Sequence, residues 1–112
     1  MLDITAQQQA EIVRLLRLRL PHANAVAFGS RVSGWPFGRG CKTYSDLDVA
    51  LWGLRQTDDQ ALAHLRADLE DSALPWRVDL SDVMDLPSTL QGLIAEHGAL
   101  LQGKALARPA LA

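Results

Sequence analysis

The chain has 112 residues, a formal net charge of −2 and 48% hydrophobic residues, a length and composition that indicate one globular domain with one modest core. No stretch approaches the ~20 uninterrupted apolar residues of a membrane span, and the N-terminus lacks a signal-peptide layout. We therefore expect a cytoplasmic protein with no membrane partner. The single cysteine excludes an internal disulfide. The slight acidity argues against direct nucleic-acid binding.

The first predicted elements are a helix and a buried strand. Thr5 and Gln8 have the spacing of a helix-capping box. Apolar residues then recur at helical intervals until Pro21, which cannot continue a helix. Residues 25–28 form a short apolar run that stops at Gly29. This run predicts a buried strand.

Gly29 and Ser30 predict a turn that leads from this strand into a short helix. Such a turn exposes backbone N–H groups and a hydroxyl at one point, which suits an anion such as a phosphate. Taken alone, however, a Gly-Ser pair is more often a plain turn than a binding site.

A loop at residues 35–43 follows, and it contains the cations Arg39 and Lys42. One interpretation is a solvated surface loop with a tryptophan beneath it. The other is a flap whose cations reach a phosphate. The sequence leaves both open.

Asp46 and Asp48 stand at the entrance to a second apolar strand, which ends near Trp52. Because side chains alternate along a strand, the two carboxylates lie on the same face. Two like charges at close range repel each other, and burial makes both harder to ionise. Such a pair is either fully solvated or served by a cation, and oxygen ligands suit a hard ion such as Mg²⁺.

A helix and a third strand are predicted next. Residues 57–60 have the spacing of a second capping box, followed by leucines at helical spacing. Residues 75–81 have the pattern of a strand that places Asp79 opposite two apolar neighbours. A carboxylate in such a strand requires a partner.

The last predicted helix runs from Leu86 to Leu100 or Leu101 and contains Gly92 and Gly98, which weaken it. The globular domain is expected to span residues 1–103. Residues 104–112 lack periodicity and are expected to form a flexible tail.

These elements together resemble the nucleotidyltransferase superfold of DNA polymerase β. More narrowly, the chain is similar to the minimal nucleotidyltransferases, small prokaryotic proteins often encoded beside a HEPN-domain partner. The resemblance rests on Gly-Ser-Arg-Val-Ser-Gly at 29–34, Ser-Asp-Leu-Asp-Val-Ala-Leu at 45–51 and Val-Asp-Leu at 78–80, and it covers nearly the whole chain. It implies an α+β fold, with a small mixed sheet flanked by helices.

The resemblance also implies a catalytic metal site made by three carboxylates. Asp46 and Asp48 would hold the Mg²⁺ ions, two in number, that bridge the triphosphate of ATP. Asp79 would complete the metal site and help to activate the attacking hydroxyl. Two metal ions suit an in-line displacement at phosphorus because they clamp the attacking and leaving oxygens.

A nucleotide-binding set follows from the same resemblance. Gly29 and Ser30 would contact the β- and γ-phosphates, and Arg31 would join them. Two departures from the family pattern stand out. Ser33 takes a position where members often have an arginine, and the loop before Asp46 is longer by roughly five residues, a change that surface loops tolerate.

The implied activity is transfer of a nucleoside monophosphate, AMP from ATP, to a hydroxyl of a partner protein. The chain has no room for an acceptor domain, so the acceptor comes from another molecule, and the family indicates a HEPN-domain toxin. Homo- and hetero-oligomers both stay open. So do three alternatives: an antitoxin that neutralises its partner by contact alone, a small-molecule acceptor, and carboxylates that are merely solvated.

Overall fold

The computed structural model describes residues 2–36 and 46–107. Within these ranges the chain forms three α-helices and four strands. In chain order these are α1 (Ala6–Arg19), β1 (Asn24–Phe28), β2 (Leu47–Trp52), α2 (Asp59–Glu70), β3 (Val78–Asp82), α3 (Ser88–His97) and β4 (Ala99–Gln102). Short 3₁₀ helices precede α2 at Gln56–Asp58 and α3 at Val83–Asp85.

The four strands form one mixed sheet in the order β3-β2-β1-β4. Strand β1 is antiparallel to both β2 and β4, whereas β2 and β3 are parallel. The predicted α+β fold, a small mixed sheet flanked by helices, is confirmed. The third strand begins at Val78 rather than at Pro75, because the chain bends at Pro75 and Trp76, where the Trp76 side chain packs into the core.

Helices cover both faces of the sheet. Ala25 and Ala27 of β1 face α1 and α2, in a core that includes Leu16 and Leu65. The alternate residues of the central strands face α3, in a second cluster made of Val26, Phe28, Ala50, Val83 and Ile94. The alternation of side chains along a strand explains this division. The same alternation determines on which face of the sheet each polar strand residue lies.

Helix α1 begins as its sequence predicts. The Thr5 side chain accepts a hydrogen bond from the Gln8 backbone N–H at 3.0 Å, and the Thr5 N–H donates to the Gln8 side chain at 2.9 Å. The Arg19 guanidinium donates two hydrogen bonds to the Asp68 carboxylate, at 2.6 and 3.2 Å, and so ties α1 to α2. None of the described helices has the length and apolar character of a membrane span.

The predicted capping box at residues 57–60 is wrong. A 3₁₀ turn precedes α2, and the Asp58 carboxylate instead accepts a hydrogen bond from the Arg55 backbone N–H at 2.7 Å. The same carboxylate lies 2.7 Å from His22 Nε2, at the end of the α1–β1 connection. The spacing of nearby residues does not predict this distant partner. The contact explains why Asp58 is buried.

The predicted extent of the last helix is also wrong, because α3 ends at His97 and Leu100 and Leu101 belong to β4. Gly98 makes this break. A Cβ atom there would collide with the Val26 side chain and the Ile94 carbonyl oxygen, so only glycine lets the chain pass this close to β1. Four apolar or amphipathic residues cannot be assigned to helix or strand from periodicity alone. The tail at 104–112 stays a prediction.

Candidate active site

Asp48 and Asp79 lie side by side at the centre of the candidate site. They are register partners in the parallel pairing of β2 with β3, and Phe28 of β1 is the partner of Asp48 on the other side. Both aspartates lie on the sheet face that carries α3, by the alternation that places Ala50 there. Asp46 immediately precedes β2 and is exposed. The structure thus brings two of the three predicted carboxylates into register, with the third two residues away.

The surroundings of Asp48 make its carboxyl group harder to ionise. Partial burial raises the pKa of its carboxyl, and the charges of Asp79 and then Asp46 raise it further. Among the described residues, none of the three carboxylates receives a hydrogen bond or forms an ion pair. An uncompensated, partly buried carboxylate beside two others has a strong electrostatic preference for a cation.

Gly29 brings the backbone of the turn directly against Asp48. Its φ of +86° lies in the left-handed region, and a Cβ atom there would come within 2.7 Å of Asp48 Oδ2. The Val32 N–H donates to the Gly29 carbonyl at 3.0 Å, which closes the turn, and Ser30 lies within it, half-buried. Glycine is required here by both conformation and space.

The short helix predicted after Gly29 does not form. The chain makes successive turns at residues 30–34, and Val32 pairs with Leu2 in an isolated β-bridge. This pairing directs the Val32 backbone toward the N-terminal segment, so it cannot continue a helical ladder. The expected Gly-Ser turn is present, but no helix follows it.

Arg31 is buried and packs toward the N-terminal segment and the β3 side of the molecule. Its guanidinium donates to the Asp3 carbonyl at 3.1 Å and lies 4.6 Å from the centre of the Trp76 ring. A cation over an indole face is a favourable arrangement. These contacts hold the turn in place, while the predicted contact of Arg31 with a nucleotide stays a prediction.

Trp35 packs between Phe28 of β1 and His97 of α3. Its ring centre is 6.0 Å from that of Phe28 and 6.4 Å from that of His97, at 77° to the histidine ring. The predicted position of the tryptophan beneath this loop stays a prediction, because residues 37–45 lie outside the described residues. Arg39 and Lys42, and the choice between a flap and a surface loop, lie outside the described residues.

The donor chemistry of Asp46, Asp48 and Asp79 fits a hard divalent cation. They offer carboxylate oxygens, the ligands that Mg²⁺ prefers, and their mutual repulsion is relieved by positive charge. Within 2–36 and 46–107, no three acidic, histidine or cysteine side chains are gathered into a group that could hold a metal ion. The charges and register fit the ion, although the side chains are not arranged around one.

Two arginines near Asp79 were missed by the sequence reasoning. Arg66 and Arg77 line an open groove that also borders Asp79. Arg77 could have been found, because it stands two residues before Asp79 in a strand pattern and so shares its face. Arg66 lies on α2 and carries no local signal.

Comparison with known proteins gives one curated relative and several solved structures. The chain is 34% identical over 103 residues to a "Probable protein adenylyltransferase MntA" of Haemophilus influenzae, with 92% of this chain and 86% of the relative covered. No protein-family model matches it. A crystal structure of a toxin–antitoxin with AMP-PNP matches at 29% identity and TM-score 0.64, over 86% of this chain and 73% of the other.

A second solved structure is a tri-AMPylated HEPN toxin of Shewanella oneidensis in complex with its MNT antitoxin. It matches at 27% identity and TM-score 0.59, over 88% of this chain and 71% of the other. The fold is therefore that of a minimal nucleotidyltransferase. On its identity and coverage with the Haemophilus protein, the chain belongs to the MntA family of protein adenylyltransferases.

Proposed function

We propose that this protein transfers AMP from ATP to a hydroxyl of a HEPN-domain toxin and acts as its antitoxin. The observation that carries the proposal is the pairing of Asp48 with Asp79 directly beside the Gly29 turn. The adenylyltransferase name of the Haemophilus relative supports the reaction. The solved complexes with AMP-PNP and with an AMPylated HEPN toxin support the substrates.

The transfer forms one oxygen–phosphorus bond and breaks another. The acceptor hydroxyl oxygen attacks the α-phosphorus of ATP, and the bond from that phosphorus to the bridging oxygen of the β-phosphate breaks. Pyrophosphate leaves with the electron pair. The hydroxyl proton passes to an Asp79 carboxylate oxygen, which is exposed and returns it to water.

Asp46, Asp48 and Asp79 would hold Mg²⁺, which when bound neutralises charge on the triphosphate and on the leaving group. The contribution of the three carboxylates is to place negative charge at one end of the central strands, where nothing else in the described chain compensates it. Held there, the cation would be a preorganised positive charge that stabilises the negative charge developing on the leaving pyrophosphate.

Gly29 and Ser30 would bind the β- and γ-phosphates through backbone N–H groups and the serine hydroxyl. The close approach of Gly29 to Asp48 puts these donors next to the carboxylates that serve the same triphosphate. Successive N–H groups in a turn form a concave site for anions. Arg31 would support this site by fixing the turn against Asp3 and Trp76.

Label transfer tests this proposal. The purified protein, Mg²⁺ and the HEPN-domain protein from the same cells are incubated with ATP labelled at the α-phosphate and, separately, at the γ-phosphate. We expect label on the HEPN protein from the α-position only, and none with Asp48→Asn. Asp71→Asn, at the exposed C-terminus of α2, serves as the matched control. Label from the γ-position alone would overturn the proposal.

The same materials test neutralisation by contact alone. The double variant Asp46→Asn, Asp48→Asn is mixed with the HEPN protein without ATP, and ribonuclease activity is measured. Adenylylation predicts that the toxin stays active. Full silencing by the double variant would show that contact is sufficient.

A further inference from the structure

An open groove runs along the outer edge of β3 and borders Asp79. Its volume is about 560 Å³. One wall comes from α2 and the other from the segment that leads into β3, with Arg66, Glu70, Trp76, Arg77 and Asp79 among the lining residues. The groove therefore borders the residue to which we assign the acceptor hydroxyl.

Within the described residues, β3 is an edge strand, because the sheet order places β2 alone beside it. The Leu47 N–H donates to the Arg77 carbonyl at 2.9 Å, so the backbone of Arg77 faces β2. Backbone groups alternate in direction along a strand, and those of Val78 and Leu80 consequently face the groove. Arg66 donates to the Leu80 carbonyl at 3.4 Å, while in the described chain Val78 has no such partner.

The two arginines of the groove make few interactions with the rest of the described structure. Within the described ranges, the Arg77 side chain forms no hydrogen bond or ion pair. The Arg66 side chain forms one hydrogen bond, the long one to the Leu80 carbonyl. Both side chains are exposed. Trp76 and Leu80 supply an apolar floor. Two exposed arginines without an acidic partner in the described structure, beside an open backbone group, suit a polypeptide that carries a carboxylate.

We propose that this groove receives the acceptor segment of the HEPN-domain protein, with its hydroxyl at Asp79 and an acidic side chain at Arg77. The inference rests on the proposed function and adds to it the surface that selects the acceptor. The Val78 backbone hydrogen-bonds the segment along the edge of β3. This edge is where the described structure leaves both backbone groups and cations open beside Asp79.

Steady-state transfer to the purified HEPN protein tests the groove. Arg77→Glu places a negative charge against the acidic side chain of the acceptor, and we expect the KM for the acceptor to rise at least about tenfold. Binding of AMP-PNP, measured by calorimetry, should stay at the wild-type value because the nucleotide is assigned to Gly29, Ser30 and Asp48, none of which lines the groove. Arg17→Glu is the matched control, an exposed arginine on α1 outside the groove, and should leave both quantities unchanged.

Charge exchange makes the test specific. Acidic residues flanking the modified residue of the HEPN protein are changed singly to arginine, and one of them should restore transfer with Arg77→Glu while impairing it with the wild type. If the wild type transfers AMP and Arg77→Glu transfers it with the same KM, the groove inference is wrong and the proposed function stands. If the wild type transfers none, the proposed function itself fails.

Discussion

Asp48 and Asp79 occupy matched positions on parallel neighbouring strands, so their carboxylates project side by side from the face that carries α3. Asp48 is the more enclosed of the two, since Phe28 is its partner on the opposite side and the Gly29 turn closes over it. Asp79 lies on the edge strand and is exposed. The pair thus has an inner member suited to a cation and an outer member open to an incoming acceptor.

Replacing the Asp48 carboxylate should raise the stability of the protein while removing its activity. Because the pKa of Asp48 is raised in the folded protein, its ionised form opposes folding once the pH is above that raised value. Asp48→Asn should therefore raise the Tm of the free protein at neutral pH and abolish AMP transfer, a loss of roughly 10²-fold or more. The Tm difference should vanish in acid, where the wild-type carboxyl is also neutral.

Thermal unfolding across a pH series, without Mg²⁺, measures this effect. Asp71→Asn provides the control for removing an exposed acidic group. A lower Tm for Asp48→Asn at neutral pH would mean that Asp48 is compensated in the free protein, contrary to the electrostatics described above.

Gly29 and Gly34 allow backbone strain to be distinguished from contact with the site. Both have positive φ, +86° and +78°, but only at Gly29 would a Cβ atom meet Asp48, while at Gly34 no atom lies within 4 Å. Each alanine variant should lose about 1 kcal/mol of stability from the left-handed backbone. Only Gly29→Ala should also lose transfer, by about 10²-fold, since it displaces the Asp48 carboxylate.

Chemical denaturation and AMP transfer assays on the two variants check this prediction. Equal activity in both, at matched stability losses, would contradict a role for the Gly29–Asp48 approach in the reaction.

The parts of the structure that follow local rules were predictable from the sequence. Nearby residues alone are enough to predict the capping box at Thr5, the apolar strands, and the alternation that places Asp46 and Asp48 on one face. The pairing of Asp48 with Asp79 needed more, because these residues are 31 positions apart and the register of their strands depends on the packing of the whole sheet. The family resemblance supplied what spacing could not.

The errors arose where a distant partner decides the local structure. Asp58 does precede α2, but the capping box predicted at residues 57–60 does not form, because the Asp58 carboxylate contacts His22 from another connection. Gly98 was expected to weaken a helix, yet its lack of a side chain lets the chain turn against Val26 and form β4. Arg66 reaches the groove only because α2 packs beside β3.

The Asp58–His22 contact should make stability depend on pH. Hydrogen bonds from the Arg55 backbone and then from His22 lower the pKa of the Asp58 carboxyl. The resulting stabilisation is present above the ordinary carboxyl range and is lost as the pH falls through the lowered pKa. Asp58→Asn should lower the Tm at neutral pH, and the difference should narrow in strong acid.

The thermal unfolding of Asp58→Asn is compared with that of Asp59→Asn, a substitution of the exposed neighbouring residue. The difference between the two Tm values reports the buried contact. A Tm deficit that stays constant from neutral to strongly acidic pH would show that the charge of Asp58 contributes nothing. AMP transfer by the folded Asp58→Asn variant should be unaffected, because the contact joins connections that lie apart from the paired aspartates.

Two glycines near the C-terminus should respond in opposite directions to the same substitution. Gly92 lies within α3 with open space around it, so Gly92→Ala should stabilise the protein by about 0.5–1 kcal/mol through higher helix propensity. Gly98 has an ordinary φ of −64°, so its alanine variant carries no left-handed strain. Its new methyl group would still collide with Val26 and with the Ile94 carbonyl, costing about 2 kcal/mol or more.

Urea unfolding of the two variants measures both effects on one scale. Since β4 pairs with β1 just beyond Gly98, Gly98→Ala should also speed amide exchange at Leu100 and Leu101 more than in the helices. A Gly98→Ala protein as stable as the wild type, with β4 still protected, would mean that the approach of the chain to Val26 can relax without cost. In that case the helix break would have to come from the β1–β4 pairing itself.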